Sequence, residues 1–156
     1  MAATFSVSLV TPEGPAFEGD IEMLIVPGAD GEFGVLARHA PLVALLNAGS
    51  TRVYRDRSSE DVLEFATGPG FFKVEQDRAL ALVDDAVEAR EIDDARAREQ
   101  LETAQAELER VERGESDADR WQLEQRIRHA ENQLATAGAP ELHDARPTTS
   151  AGPRHA

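Results

Sequence analysis

Two periods of apolar and polar residues divide the chain. In the first, apolar positions recur every second residue: Thr4–Val10 places Phe5, Val7 and Leu9 on one face and Ser6, Ser8 and Val10 on the other. Further short runs lie at Ile21–Val26, Thr51–Arg55, Val62–Ala66, Phe71–Glu75 and Ala79–Asp84. Turn chemistry closes each run, at Pro12 to Pro15, Pro27–Gly28, Asp56 to Ser59, Gly68–Pro69–Gly70 and Gln76–Asp77. No helix-length segment separates them, so crossovers to parallel partners are not expected. The pattern predicts an antiparallel β-sandwich or barrel over residues 1–86.

From about residue 87 the period becomes that of a helix. Ala97, Leu101, Ala104, Leu108 and Val111 recur at spacings of four and three, and Leu123, Ile127, Ala130, Leu134 and Ala137 do the same. Between the two seams Gly114 is suited to stop one helix, and Ser116 or Asp117 to cap the next. Two such seams joined by a short turn predict an antiparallel αα-hairpin over 87–137. Its seam is thin and alanine-rich, so the helices should pack closely but weakly and be able to part. Residues 138–156 have no period and are expected to be disordered.

Composition narrows the classes of function. The chain has 156 residues, 41% hydrophobic but only 5% aromatic, which is lean for one core spanning the whole length. Its formal charge of −14 opposes binding to a nucleic-acid backbone or an anionic lipid surface. The absence of cysteine removes disulfides, thiolate metal sites and cysteine nucleophiles together. No run approaches the roughly 18 apolar residues of a membrane span, and the opening MAATFSVSLV has neither the basic nor the apolar region of a signal peptide. A soluble cytosolic chain without lipid insertion is the expectation.

Candidate chemistry concentrates in residues 28–50, where Gly28, Gly31, Gly34 and Gly49 surround Glu32 and His39. Glu32 and His39 are suited to proton transfer, but apart from Asp30 no second carboxylate or nucleophile accompanies them at a recognisable spacing. A surface loop is the better reading. The glycines are not followed by a helix pattern, so a phosphate cradle would lack its dipole and amides. His39, His129, His143 and His155 are scattered, which argues against a metal site. Lys73 is the only lysine, and there is neither a Walker A lysine nor a G-x-S-x-G. No catalytic residue is assigned. Trp121, in the first turn of the second helix, suits either a cover for the hairpin end or a partner contact. Asp93 and Arg96 read equally as a helix cap with its i, i+3 neighbour and as a carboxylate–guanidinium pair that holds a polar ligand.

These motifs together carry a family resemblance. Phe17-x-Gly19, VPGADGEFGVLARHAPLVALLNAG (Val26 to Gly49), ATGPGFFKV (Ala66 to Val74) and IDDARA (Ile92 to Ala97) resemble the epsilon subunit of F-type ATP synthases from about residue 4 to 137. The resemblance implies a noncatalytic rotor subunit of the central stalk, peripheral on the cytoplasmic side of the cell membrane. A ten-stranded sandwich would bind the gamma subunit and the c-ring. The hairpin would either fold against the sandwich or rise toward the alpha/beta catalytic subunits and restrain hydrolysis. It further implies that Gly31, Glu32, Phe33, Gly34, His39 and Pro41 belong to the c-ring and gamma interface. Ile92, Asp93, Arg96 and Ala97 match the family's ATP-holding motif. The arginines of strong ATP binders are replaced here by Thr103 and Gln133, so ATP would bind weakly, as a regulator only. Ala37–Arg38 stands where the family often has Pro-Gly. Without the resemblance, the same architecture would suit a free-standing adaptor that binds through its sandwich and dimerises through its hairpin.

Overall fold

The computed structural model describes residues 3–58 and 61–137; the tail expected to be disordered lies outside them. Ten strands precede two helices: β1 (Phe5–Thr11), β2 (Gly14–Ile21), β3 (Met23–Gly28), β4 (Gly31–Leu36), β5 (Leu42–Leu46), β6 (Gly49–Asp56), β7 (Asp61–Thr67), β8 (Gly70–Glu75), β9 (Arg78–Val83) and β10 (Ala86–Glu88). A single 3₁₀ turn, Ala89–Glu91, leads to α1 (Asp94–Glu112) and α2 (Arg120–Ala137).

The strands form two five-stranded layers. One runs β4-β3-β6-β7-β10 and the other β5-β8-β9-β1-β2, joined where Gly28 of β3 pairs with Leu46 of β5. At the opposite edge Glu22 N–H donates to Tyr54 O at 3.0 Å, and the Arg55 guanidinium lies 5.7 Å from the Phe17 ring centre. The inner faces meet in one core. Phe5, Val7, Leu9, Phe72, Val74, Ala81 and Val83 come from one layer, and Leu24, Val26, Val35, Val53 and Phe65 from the other. Phe5, Val7 and Leu9 are buried as the alternation of β1 requires.

The topology departs from the expected antiparallel plan in one place. β1 and β9 are parallel, with Ser6 opposite Arg78 and Val10 opposite Leu82. A parallel neighbour does not need a helical crossover here, because the chain travels through the other layer between β1 and β9. Residues 28–50 likewise contain two strands, β4 and β5, where the glycines suggested a loop. β10 straddles the composition break near residue 86 and pairs with β7, Val87 opposite Ala66.

The helices follow the predicted seam. Ala97 and Ala104 of α1 and Leu123 and Ala130 of α2 are buried, with Leu101, Leu108, Ile127 and Leu134 half-buried beside them. Asp93 caps α1, accepting from Arg96 N–H at 3.1 Å. Gly114 (φ 76°) ends α1: its N–H donates to Val111 O and Glu115 N–H to Arg110 O, the paired bonds of a Schellman stop. The cap of α2 is Asp119 instead of Ser116 or Asp117. Its carboxylate accepts from Trp121 N–H at 2.9 Å and Gln122 N–H at 3.3 Å. Ser116 instead pairs with Glu107 across the turn, and that bond is the main reason the Glu107 carboxyl sits below the ordinary glutamate range.

Candidate functional site

Glu32 and His39 are not an acid–base pair. Glu32 opens β4 opposite Pro27, whereas His39 lies beyond Leu36, the other end of the strand. About 13 Å of extended chain separates residues 32 and 36 alone. The Glu32 carboxylate is instead held by Arg52 of β6 at 2.9 Å. Arg52 is almost fully buried and Glu32 half-exposed, so the arginine sets the position of the carboxylate at the surface. Gly31 reaches φ 129° as it leaves the β3–β4 turn, a conformation that side chains rarely adopt. Phe33 turns inward and meets Phe72 edge-on, with ring centres 5.8 Å apart. Gly34 and Pro41 are exposed.

At the far end His39 is half-buried and its Nδ1 donates to the Ala40 carbonyl at 2.6 Å. Arg38, just before it, has φ 63° and donates its N–H to Asp77 Oδ1 at 2.6 Å. Asp77 belongs to the β8–β9 turn, so this loop is tied to the neighbouring hairpin. At the near end Ala29 N–H donates to Leu45 O at 3.0 Å. The near end of the stretch is thus held by β5 and the far end by the β8–β9 turn.

An apolar row crosses the outer face of β5, β8, β9 and β1, which alternation arguments had not anticipated. Leu45 stands opposite Phe71, Phe71 opposite Leu82, and Leu82 opposite Val10. Leu45 is 67% exposed and Val43, two residues away on the same face, 61%. Phe71 and Leu82 are exposed as well. The signal was present in Phe71–Phe72 and in Leu80–Val83, runs without alternation, which mark a strand covered on both faces.

Ile92, Asp93 and Arg96 line a small hollow of about 290 Å³ with Val87, Glu91, Gln100, His129 and Gln133. The fit to a triphosphate is poor. One guanidinium faces two carboxylates, and the Asp93 carboxylate already caps its own helix. Ala97 is buried in the helix seam and contributes no polar group. His129 Nε2 lies 2.9 Å from Gln133 Nε2 and 3.5 Å from Asp85 Oδ2 of the sandwich. Beside it Asn132 donates to Gly49 O and Thr67 O, both at 3.1 Å, so one amide spans two strands. Trp121 is 66% exposed, so most of the ring is open to solvent instead of packed over the hairpin end. Among the described residues no cluster of His, Asp or Glu is arranged to hold a metal ion, and no helix is long and apolar enough to cross a membrane.

Comparison with known proteins agrees with this architecture. Residues 4–89 match the family described as the ATP synthase, Delta/Epsilon chain, beta-sandwich domain. The ATP synthase epsilon chain of Halalkalibacterium halodurans is 37% identical over 135 residues, 86% of this chain and 98% of that protein. That of Bacillus pumilus is 35% identical over the same shares of each chain. Among solved structures, a chain of the Euglena gracilis mitochondrial ATP synthase, imaged with OSCP, F1 and c-ring, superposes with a TM-score of 0.70 at 23% identity, covering 86% of this chain and 82% of that one. The chain thus belongs to the ATP synthase epsilon-chain family, a noncatalytic subunit of that enzyme.

Proposed function

We propose that the chain is a central-stalk rotor subunit that couples proton flow through a c-ring to ATP synthesis, held to the membrane peripherally, on its cytoplasmic side, through its complex. The observation that carries this reading is the uncovered apolar row Leu45–Phe71–Leu82–Val10 with Val43 beside it. A contiguous apolar face of this kind on a small acidic protein is a protein-docking surface. The gamma subunit is the partner assigned to it, with His39 and Pro41 at one end. The Arg52-held Glu32 and the Gly31–Gly34 turn supply the c-ring contact at the other. Phe33 supports that turn from the core side.

The hairpin is the regulatory element of the reading. Its attachment to the sandwich is mainly polar and its internal seam is alanine-rich, so it can separate and rise toward the alpha/beta subunits. Arg120, Arg126 and Arg128 of α2 would then meet an acidic surface.

Co-purification tests the docking face. Leu45→Asp leaves the core untouched because Leu45 points outward, yet it buries a charge in the interface. Loss of gamma from the purified complex, or affinity about ten- to a hundredfold weaker, is expected. An unchanged complex would reject the assignment of this face.

A further inference from the structure

His129 sits at a fork. Its Nε2 has two partners within reach, Gln133 one turn along the same helix and Asp85 across the cleft on the sandwich. A neutral imidazole can accept at Nε2 from the Gln133 amide, which keeps the ring within α2. A protonated one carries hydrogen at Nε2, cannot accept there, and turns that hydrogen to the Asp85 carboxylate. We propose that His129 and Asp85 form a proton-binding site that latches the hairpin: protonated, it ties α2 to the sandwich, and neutral, it releases that tie. The proposal rests on the hairpin being a movable element, as read above.

The surroundings set the direction of the effect. Burial raises the Asp85 carboxyl above the ordinary aspartate range, opposed by His129 and reinforced by Asp84 and Glu13. From α1, Glu99 and Glu107 line the cleft, which measures about 1280 Å³; from α2, Arg126 and Arg128 do. Near Gln133 stand Glu91, Asp93 and Arg96. The arginines keep their charge at every pH of interest, whereas a histidine changes charge between about pH 5 and 8. As pH rises, Asp85 loses its cation while still facing Asp84 and Glu13. The tie exists only with the imidazole protonated and the carboxylate ionised, so it is lost as the imidazole gives up its proton. The docked state loses stability as pH rises from 6 to 8. Asn132, whose amide does not titrate, supplies the pH-independent part of the attachment.

The full chain has no cysteine, so Glu18→Cys and Gln122→Cys, both at exposed positions, can carry a dye pair that reports docking. The docked-to-released ratio is expected to fall about two- to fivefold from pH 6 to pH 8, the scale of a half-exposed ion pair. His129→Gln and Asp85→Asn should each flatten that dependence, and His129→Lys should hold the hairpin docked throughout. Asn132→Ala should lower the ratio at every pH and leave the slope intact. Release by Asn132→Ala with no pH dependence in the parent chain would overturn the proton latch alone. If neither pH nor Asn132→Ala moves the hairpin, the movable-hairpin reading falls with it. A slope that persists in His129→Gln would assign the titration elsewhere and reject the site.

Discussion

Arg38 occupies a backbone position suited to glycine. Its φ of 63° is left-handed, and for a residue with a side chain that costs about 1–2 kcal/mol. The loop keeps the shape because Arg38 N–H is bonded to Asp77, whose own φ is 59°. Arg38→Gly removes the strain and retains the N–H, at the expense of greater freedom in the unfolded chain. A net stabilisation of about 0.5–1 kcal/mol is expected, read as a rise in Tm of about 2–6 °C. A lower Tm would mean that the arginine side chain makes a contribution the backbone argument omits. At this scale the sequence was informative but incomplete. Ala37–Arg38 stood out against the Pro-Gly of the family, and Gln76–Asp77 was legible as a turn. That Asp77 reaches back 39 residues to Arg38 depends on β5, β8 and β9 being neighbours, which no local pattern states. The Arg52–Glu32 pair was hidden for the same reason, since Arg52 reads as a polar residue in a half-exposed strand until the sheet covers it.

Among the elements, the helices were the most legible and the Gly-rich strands the least. A 3.6-residue period sustained over several turns leaves little ambiguity, and both helices carry it. β2, β4 and β5 were missed because Gly14, Pro15, Gly19, Gly31, Gly34 and Pro41 resemble loop punctuation, and β10 because three residues are too few for any period. The start of α2 was misplaced because three potential caps lie close together, Ser116, Asp117 and Asp119, and Ser116 does accept an N–H, that of Ala118 at 3.2 Å. The geometry selects Asp119, which serves two amides. Asp119→Ala should therefore destabilise α2 by about 1 kcal/mol, whereas Asp117→Ala should do little. Hydrogen exchange at Trp121 and Gln122 separates the two: faster exchange in the Asp117 variant but not in the Asp119 variant would contradict the assignment. The Asp93 cap of α1 also bears on whether Asp93 and Arg96 hold a polar ligand. An N-terminus already occupied by the Asp93 carboxylate has little affinity left for phosphate.

For the whole molecule, the separation into a β part and a helical part was readable from the change of period alone, but the way the parts meet was not. Asn132, His129 and Asp85 join segments up to 83 residues apart through hydrogen bonds that have no sequence signature. Two consequences concern ligand and fold. In the hollow near Arg96, one guanidinium and two carboxylates replace the several cations that a tight nucleotide site would need. Each lost charge-assisted contact removes about 1.5–3 kcal/mol, or about ten- to a hundredfold in affinity. Calorimetry on the isolated chain should give a Kd for ATP on the order of 0.1 mM or weaker, given that loss from a micromolar-class site. Low-micromolar binding that survives Arg96→Ala would refute this account of the hollow.

The fold consequence follows from where the apolar core lies. Every large side chain of the main core, from Phe5 and Leu9 to Phe65 and Phe72, belongs to the sandwich. Of the four fully buried apolar residues of the hairpin seam, Ala97, Ala104 and Ala130 contribute little transfer free energy and only Leu123 is large. Removing the helices therefore costs the sandwich the bonds from Asn132 and His129 and little of its packing. The cut must respect β10: a chain ending at Val87 would sever the strand that covers the β7 edge, whereas one ending at Glu91 keeps Ala86–Glu88 opposite Phe65–Thr67. The shorter chain ending at Glu91 is expected to fold cooperatively, with a strand-type circular dichroism spectrum, and to retain binding to gamma through the Leu45–Phe71–Leu82 face. The chain ending at Val87 should melt lower or associate through the exposed edge. Failure of the Glu91 chain to fold would show that the hairpin supplies stability that its small, polar attachment does not account for.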